Sequence, residues 1–214
     1  MKKSIIIIGA GNGLSRAVAC RFGKAGYKIG LISRSKTNLE NLKSRLNAAG
    51  IEAWHETADV SEVDELHIAI NTLNHYLEGA DVVLYNAAHL KQKDILKESP
   101  ETLSEDFKIN VIGLQQSYNF LQNTLKVKKG ALLVSGGGLA LQPSADYGSL
   151  SLGKAALRSL VYQLQGKAKE DHIYVGLLTI AGFITQESKT HAPAILADIF
   201  WNMNVERKDI EIHQ

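Results

Sequence analysis

Short apolar runs alternate with longer amphipathic segments along the whole chain. The first run, Ser4 to Ile8, contains four consecutive isoleucines, and later apolar runs cover 28–33, 81–85, 131–135 and 173–180, while 52–57 is a weaker predicted strand. The segments between them carry apolar residues at the helical period. Consecutive parallel strands need a crossover connection, which is usually a helix. The alternation therefore predicts an α/β domain, a doubly wound parallel sheet with helices on both faces.

Turn and capping residues place the ends of the predicted helices. Thr37 with Glu40 forms the sequence pattern of a capping box, and Ser99 before Pro100 puts a cap residue ahead of a proline at the first helical position. Ser61 is expected to start another helix. The predicted helices cover 14–25, 37–49, 61–77, 99–125, 147–169 and 194–201, and a last strand is expected over 209–213.

The composition is that of one ordinary globular domain spanning residues 1–214. Hydrophobic residues make up 45% and charged residues 21% of the chain, and the net charge is only +2. This balance gives no support to a nucleic-acid or membrane-surface partner. No apolar run reaches the roughly 18–20 residues of a membrane span. Cys20 is the single cysteine, which fits a reducing compartment, so a cytoplasmic protein is expected.

A glycine-rich turn follows the first predicted strand and leads into the first predicted helix. Backbone N–H groups in such a turn approach a pyrophosphate closely, and the helix N-terminus adds partial positive charge. The generic GxGxxG spacing fails because position 14 is leucine, whereas a Gly-x-x-x-Gly-x-Gly spacing fits with serine in the third place. A tight turn that uses glycine for steric reasons alone is the alternative. The residues assigned to the cofactor's phosphates are Gly9, Gly11, Asn12, Gly13 and Leu14.

The end of the second predicted strand selects between the two nicotinamide dinucleotides. An acidic residue at this place binds a ribose 2′-hydroxyl, whereas a basic residue accommodates a 2′-phosphate. Here the strand ends in Ser33 and Arg34, with Lys36 close behind. Arg34 therefore favours NADP; the alternative is an exposed loop arginine without a ligand.

Two further strand ends lie along the expected path of the dinucleotide. Asp59 and Val60 end the third strand, where an adenine could rest; a plain strand-to-helix cap is the alternative. Asn86, Ala87 and Ala88 end the fourth strand, and small side chains there leave room for the ribose and the nicotinamide.

Taken together, these residues resemble the short-chain dehydrogenase/reductase family over nearly the whole chain. The first turn is similar to the family's TGxxxGxG motif, with isoleucine for threonine and serine for the last glycine. Six segments follow one another in the family's order. They are Ile8 to Ser15, Asp59-Val60, Asn86 to Ala88, Asn110, Lys154 to Leu157, and Ile180 to Thr185.

The resemblance implies a single Rossmann-type domain that binds NADP(H) and moves a hydride to or from a small carbonyl or alcohol substrate. Family members use a tyrosine as general acid or base, a lysine that lowers the tyrosine's pKa and holds the ribose, a serine on the substrate oxygen, and an asparagine that orders a water relay. By this resemblance Lys154 and Asn110 take the lysine and asparagine roles, and Gly182 and Ile184 lie beside the nicotinamide. The resemblance also implies a homo-oligomer, a dimer or tetramer.

The two groups that should touch the substrate oxygen are missing from their places. The tyrosine position, four residues before Lys154, is Leu150, and the serine position is Gly137. Leucine can neither give nor take a proton. Ser135 lies close to the second position and is the candidate to replace the family's serine.

Tyr147 is the candidate for a displaced proton donor. It precedes Lys154 by seven residues, two helical turns, and a late helix start at Gly148 would let it reach the site. Otherwise it packs at the helix start. Ser151 is a poorer candidate because a hydroxyl has a much higher pKa than a phenol. His89 either lines the cleft as a donor near neutral pH or is a solvated loop histidine.

Two functions remain open from the sequence. One is an NADP-dependent oxidoreductase whose proton donor has moved; the other is a cofactor-holding relative without turnover, a redox sensor or partner subunit. Asn110 and Lys154 favour the enzyme, whereas Leu150 favours the binder. The short segment after the sixth strand predicts an open pocket. No metal site is expected, because the seven histidines show no ligand spacing.

Overall fold

The computed structural model describes residues 2–214 as seven strands alternating with seven α-helices. The strands are β1 (Ser4–Ile8), β2 (Lys28–Ser33), β3 (Ala53–Thr57), β4 (Val82–Tyr85), β5 (Ala131–Ser135), β6 (Tyr174–Thr179) and β7 (Glu211–His213). The helices are α1 (Leu14–Lys24), α2 (Lys36–Ala48), α3 (Val63–Tyr76), α4 (Pro100–Phe107), α5 (Gly113–Lys128), α6 (Gly148–Ala168) and α7 (Pro193–Glu206). None of the helices in this described part of the chain combines the length and the apolar character that crossing a bilayer requires.

All seven strands pair in parallel, in the order β3-β2-β1-β4-β5-β6-β7. The chain runs outward from β1 to β3 and then returns to the other side of β1 at β4. In open parallel sheets, ligands bind outside the carboxyl ends of the strands where the order reverses in this way. Ile8 of β1 pairs with Tyr85 of β4, so the residues that follow these two strands meet at that edge.

The isoleucines of β1 alternate between the two faces of the sheet. Ile5 and Ile7 pack into a core shared with α1, α2 and α7, whereas Ile6 and Ile8 pack into a core shared with α3, α5 and α6. A strand that is covered on both faces shows no polar alternation, which explains the continuous apolar run. Helices on both faces of a parallel sheet confirm the predicted fold class.

The predicted helix caps are only partly correct. Ser99 caps α4 and forms a capping box with Thr102. The box predicted at Thr37 is wrong, because α2 begins one residue earlier and Ser35 is its cap, with Ser35 Oγ accepting from Asn38 N at 3.3 Å. Sequence patterns of this kind are satisfied by several neighbouring polar residues, and the path of the chain decides which one caps the helix.

The helix predicted over 99–125 is interrupted in its middle. α4 ends at Phe107, a π-helical turn covers 108–112, and α5 begins at Gly113. A Cβ on Gly113 would lie 2.4 Å from the hydroxyl of Tyr85, so glycine lets α5 approach β4 closely. The π-turn holds Asn110 in a buried position. Such turns are frequent at functional sites.

The C-terminal elements also differ in extent from the prediction. α7 is longer than the short helix expected at 194–201, and β7 is limited to three residues that pair with β6. Glu211 of β7 is buried and held by Arg158 Nη2 at 2.8 Å, while Thr179 Oγ1 donates to it at 2.6 Å. Burial raises the pKa of Glu211, but these bonds outweigh it and hold the pKa at about 2.

Candidate active site

Gly9 ends β1 in a conformation and a space that only glycine tolerates. Its φ is +85°, and a Cβ there would lie 2.4 Å from the backbone nitrogen of Ala87 at the end of β4. The ends of β1 and β4 therefore meet through bare backbone. Around Gly11 and Gly13, by contrast, a Cβ would find no heavy atom of residues 2–214 within 4 Å. Their backbone faces open space, which is the fit that a pyrophosphate requires.

The first turn of α1 is available to an anion. Gly13 occupies the N-cap and, within the described chain, no side chain caps the helix there. The first N–H groups of a helix have no intrahelical partner and carry partial positive charge. Leu14 begins α1 with a buried side chain, and Asn12 is exposed just before it. The turn therefore presents backbone donors rather than side chains to a ligand.

Ser15, in the place of the motif's third glycine, ties the turn to β4. Its Oγ donates to Gly9 O at 2.9 Å and accepts from Asn86 Nδ2 at 2.8 Å. The side chain is 1% exposed. Both hydrogen bonds of the hydroxyl are to protein groups, so the serine does not project into the open side of the turn.

Arg34 and Asp59 approach each other across the ends of β2 and β3. Arg34 Nη1 lies 3.7 Å from Asp59 Oδ2, and the Arg34 side chain is 67% exposed. Ser61 donates to Asp59 Oδ1 from its backbone nitrogen at 2.9 Å and from Oγ at 2.7 Å. Burial raises the pKa of Asp59, but the bonds from Ser61 and the charge of Arg34 outweigh it and hold the pKa below its ordinary value. The helix start predicted at Ser61 is wrong because Asp59 takes its hydroxyl, and α3 begins at Val63.

Ser33 and Val60 flank this ion pair. The Oγ of Ser33 is buried, and no group among residues 2–214 bonds to it. Val60 packs against α5, since a Cβ on Gly113 would lie 3.1 Å from Val60 O. An orphaned hydroxyl beside an exposed arginine is consistent with a polar ligand at the end of β2.

Lys154 is the buried cation of the site. It extends from α6 to the carboxyl end of β5, where its Nζ donates to Ser135 O at 3.1 Å. Burial lowers the pKa of Lys154 to about 8. A Cβ on Gly137 would lie 3.4 Å from Lys154 Cε. The structure therefore brings Lys154, Ser135 and Gly137 together. The Ser135 hydroxyl points elsewhere, since Ser135 Oγ donates to Tyr85 O at 3.4 Å. The contact with Lys154 is made by the Ser135 carbonyl oxygen.

Asn110 joins the site from the π-turn. Gly153, next to Lys154 in α6, packs against Asn110, because a Cβ on Gly153 would lie 2.9 Å from Asn110 Cβ. Asn110 Oδ1 accepts from His89 N at 3.1 Å. Its buried Nδ2 finds no hydrogen-bond partner within residues 2–214. A buried amide nitrogen is costly to leave unpaired, so the surroundings of Asn110 suit a polar ligand atom or a water.

The loop after β6 closes the side of the site next to β5. A Cβ on Gly138 would lie 3.0 Å from Ala181 Cα, so the loops after β5 and β6 touch. Gly182 lies under the ring of His191, whose Cε1 is 2.8 Å from the position of a Cβ at 182. Ile184 is 40% exposed.

The sequence model of the short chain dehydrogenases matches residues 3–194. The chain belongs to the short-chain dehydrogenase family. The match covers every element from β1 to the start of α7, and therefore all the site residues described above.

Relatives of this short-chain dehydrogenase carry reductase names. The 3-dehydrosphinganine reductase TSC10A of Arabidopsis thaliana is 27% identical over 94% of this chain and 64% of its own length. The 3-oxoacyl-[acyl-carrier-protein] reductase FabG of Staphylococcus aureus is 23% identical over 75% of this chain and 69% of its own. The chain spans 64% of TSC10A and 54% of the related TSC10B.

Solved structures share the fold. An alcohol dehydrogenase from the archaeon Thermococcus sibiricus, complexed with 5-hydroxy-NADP, superposes with a TM-score of 0.89 at 21% identity, covering 99% of this chain and 95% of that protein. A metagenomic short-chain oxidoreductase in complex with NADP gives 0.88 at 17% identity, with the same coverages. At these low identities, the likeness shows only that the chain shares the fold of these proteins.

The chain has Leu150 where the resemblance places the family's tyrosine. Leu150 lies in the first turn of α6 and is 5% exposed. Tyr147 precedes the helix, and its backbone pairs with Lys93 in the loop after β4. α6 begins at Gly148, which is the late start that a displaced tyrosine requires. Proton donation by Tyr147 stays a prediction.

Tyr85 is unsuited to replace that tyrosine although it lies close by. It ends β4 with a fully buried side chain, and its hydroxyl donates to Ile109 O. Burial raises the pKa of Tyr85 above its ordinary value. The phenol ties β4 to the π-turn, and its hydroxyl proton is already used in the bond to Ile109 O.

Sequence reasoning missed the acidic side chains around this site. Asp106 is buried in α4, four residues before Asn110, and its Oδ1 pairs with His89 Nδ1. Glu98 has no exposed side-chain surface and lies 3.5 Å from Lys91 Nζ and 3.3 Å from Lys93 Nζ. Asp106 and Asn110 are four residues apart, which places them on one face of a helix; this spacing was the only hint in the sequence that Asp106 lies near the site. Nothing local in the sequence joins it to His89.

Proposed function

We propose that this chain binds NADP(H) and transfers a hydride between the nicotinamide and the carbonyl or alcohol carbon of a small molecule. The observation that carries the proposal is the convergence of Lys154 and Asn110 on the strand edge that also bears the open glycine turn. A pure cofactor holder needs the turn and the lysine, but it has no evident use for a buried asparagine with an unpaired amide.

Binding of the dinucleotide falls to three groups of residues. Gly11 and Gly13 present backbone to the pyrophosphate, with α1 adding its partial positive charge. Asn86 and Ala87 border the ribose, and Lys154 is the cation available to its hydroxyls. Bound there, the cofactor supplies or takes the hydride, and these residues fix its position.

Arg34 supports NADP over NAD. Its guanidinium is two-thirds exposed at the end of β2 and has only a loose contact with Asp59, so a 2′-phosphate could pair with it. Two structural neighbours are complexes with 5-hydroxy-NADP and NADP, and an actinorhodin polyketide ketoreductase with a TM-score of 0.81 is a complex with NADPH.

The substrate class we propose is a small carbonyl compound. The relatives TSC10A and FabG are named as reductases of 3-dehydrosphinganine and of a 3-oxoacyl group, and both names describe ketones. The loop after β6 exposes Phe183 and Ile184 at the site's edge, which suits a partly apolar substrate.

Calorimetric titration and a turnover screen test this function. We expect NADPH to bind more tightly than NADH, and Arg34→Gln to weaken NADPH binding by about tenfold, the effect of one charge-assisted contact to phosphate. Arg45→Gln, on the exposed surface of α2, is the matched control and should bind NADPH like the wild type. A panel of ketones, aldehydes and 3-oxoacyl thioesters is then screened for NADPH oxidation. Tighter binding of NADH would refute the NADP assignment, and no binding of either would refute the whole proposal.

A cofactor-holding role without turnover is the second candidate. Leu150 and Gly137 stand in the places of the family's proton donor and substrate-binding serine; Leu150 is buried, and Gly137 lies beside Lys154. Tight NADPH binding with no oxidation across the panel would favour this candidate.

Location and assembly complete the proposal. We propose a cytoplasmic protein that forms a homodimer or homotetramer and has no nucleic-acid or membrane partner. Sedimentation equilibrium checks the assembly, and a monomer at micromolar concentration would contradict it.

A further inference from the structure

One pair of titratable side chains, at the carboxyl edge of β4, is not used in the proposed function. His89 follows Ala88 in the loop after β4, and its Nδ1 pairs with Oδ1 of Asp106 in α4. The imidazole is 44% exposed, whereas the Asp106 side chain is 3% exposed. The carboxylate therefore lies beneath the ring, and the exposed edge of the ring is the one that carries Nε2.

Packing does not account for a buried carboxylate at position 106. Asp106 Oδ2 has no hydrogen-bond partner in the part of the chain described, so His89 is the partner that compensates its charge. Burying a carboxylate is costly unless it is paired, and an apolar side chain would fill the same space at lower cost. An incompletely paired carboxylate is more typical of a functional site than of a core.

The pair is connected to the residues around Lys154. His89 N donates to Asn110 Oδ1 at 3.1 Å, and Asn110 packs against Gly153, the neighbour of Lys154. Two buried polar atoms without partners among residues 2–214, Asp106 Oδ2 and Asn110 Nδ2, thus flank His89. His89 is therefore linked through Asn110 to α6, the helix that carries Lys154 and, one turn earlier, Leu150.

We propose that His89 is the proton donor of this site and that Asp106 is its positioning residue; the inference rests on the proposed function. A buried carboxylate on Nδ1 fixes the tautomer and the orientation of an imidazole. Nε2 then points away from the carboxylate and is free to exchange a proton with a substrate oxygen.

His89 gives its Nε2 proton to the substrate oxygen as the carbonyl carbon takes a hydride from C4 of the reduced nicotinamide. The carbon–oxygen π bond breaks, and its electron pair stays on the oxygen and accepts the proton. The products are an alcohol, the oxidised dinucleotide and a neutral imidazole. The imidazole regains a proton from solvent through its exposed edge. Alcohol oxidation is the same step in reverse.

The first test needs neither cofactor nor substrate. Long-range proton–nitrogen correlation spectra of protein with ¹⁵N-labelled histidine show which ring nitrogen carries the proton. We expect neutral His89 to carry it on Nδ1, and Asp106→Leu to abolish that preference. His75→Asn, exposed on α3, is the control and should remove only its own resonances. A proton on Nε2 of neutral His89 would overturn the proposal.

The second test measures NADPH oxidation with a carbonyl compound from the panel described above. His89→Asn retains a side-chain N–H for Asp106 but has no titrating proton, so we expect kcat to fall about 10²- to 10⁴-fold. The dissociation constant for NADPH should change less than about twofold, since no phosphate or ribose contact is removed. His89→Ala should regain activity when imidazole is added, which a merely structural histidine would not show. His75→Asn should keep the wild-type kcat.

The outcomes separate this inference from the function on which it rests. Wild-type kcat in His89→Asn overturns the proton donor and leaves carbonyl reduction standing. If Tyr147→Phe loses turnover at the same time, donation belongs to the tyrosine. A wild type that binds NADPH but turns over nothing overturns both carbonyl reduction and the donor. A wild type that binds no dinucleotide overturns the proposed function itself, whatever the tautomer of His89.

Discussion

In Lys154, burial and charge act against each other. The ammonium has one hydrogen bond, to Ser135 O, and no carboxylate of residues 2–214 forms an ion pair with it. Burial lowers the pKa of Lys154 from 10.5 to about 8 because the charged form loses its hydration. A depressed lysine pKa means that the unfolded chain binds more protons than the folded one between these values. The stability of the fold is therefore reduced below pH 8 and rises as the pH increases from about 8 to 10.5.

Replacing Lys154 should stabilise the protein and remove its function. At pH 7, Lys154→Met abolishes a cost of about 3 kcal/mol and loses one hydrogen bond of about 1 kcal/mol, so we expect the free energy of unfolding to rise by about 2 kcal/mol. NADPH affinity should fall at the same time. Urea denaturation followed by circular dichroism between about pH 6 and 10 measures the increase in the free energy of unfolding. The same data show whether the rise of stability from about pH 8 upward is lost in Lys154→Met. Lys167→Met, exposed on the same helix, is the control. A destabilised Lys154→Met would show that the lysine stabilises the fold.

The sequence predicts that Gly9 and Lys154 come together, but it does not predict contacts that join distant segments. Gly9 and Lys154 sit in motifs whose spacing is local, so their placement at one strand edge follows from the parallel sheet. Asp106 and His89 are 17 residues apart, on α4 and in the loop after β4, and only the tertiary structure pairs them. The sequence puts Ser135 close to the Gly137 position, but which of its two oxygens contacts Lys154 depends on strand geometry that spacing does not encode.

At the scale of elements, the loop after β4 is fastened to the start of α6. Gly148 N donates to Lys93 O at 3.0 Å, and Ile95 N donates to Ala145 O at 2.9 Å. Within the loop, the Glu98 carboxylate lies within 3.5 Å of Lys91 and Lys93. The two backbone bonds hold the loop that carries His89 against the start of the helix that carries Lys154, and the ion pairs hold the loop together.

Neutralising Glu98 should loosen this loop. Burial raises the pKa of Glu98, but hydrogen bonds from Thr102 and Lys93 outweigh it and hold the pKa at about 2. Because this value lies below the ordinary 4.5, the carboxylate stabilises the fold above about pH 4.5 and loses that contribution as the pH falls to 2. We expect Glu98→Gln to lower the stability at neutral pH and to speed amide exchange over 91–98.

Amide exchange and urea titrations at several pH values check this expectation. The stability difference between wild type and Glu98→Gln should shrink as the pH falls from about 4.5 to 2, where the wild-type carboxylate also becomes neutral. Glu105→Gln, exposed on α4, is the control and should leave the loop unchanged. Equal exchange over 91–98 in Glu98→Gln and wild type would mean that the backbone bonds alone hold the loop.

The central strands were predictable from sequence because burial on both faces gives them a continuous apolar run, and β1, β2 and β5 have the bounds expected. Helix starts were less predictable. Thr37 and Ser61 satisfy local capping rules, but Ser35 caps α2 instead, and Asp59 accepts the hydroxyl of Ser61. The π-turn at 108–112 left no signal, because apolar residues continue through it at nearly the helical period. Its cause is tertiary: α5 approaches β4 at Gly113, and the chain makes a wider turn before it.

At the scale of the whole molecule, the reversal of strand order divides the site into two halves. The loops after β1, β2 and β3 carry the glycine turn, Arg34 and Asp59, which suit phosphates and adenosine. The loops after β4, β5 and β6 carry the residues around Lys154 and Asn110, which suit the reacting end. A dinucleotide long enough to serve both halves must cross the point where Gly9 touches Ala87. An extended cofactor and a split site are thus two aspects of one topology.

This division predicts how two related ligands protect the backbone. NADPH should slow amide hydrogen exchange in both halves, over 9–16 and 34–38 on one side and over 86–90 and 135–140 on the other, because bound ligand stabilises the segments it orders. Adenosine 2′,5′-bisphosphate lacks the nicotinamide and should protect only the first half. Exchange measured by mass spectrometry with each ligand at saturation compares the two patterns. If NADPH protects no more than the bisphosphate, the half with Lys154 and Asn110 does not hold the nicotinamide, and hydride transfer at this site is excluded even though the cofactor binds.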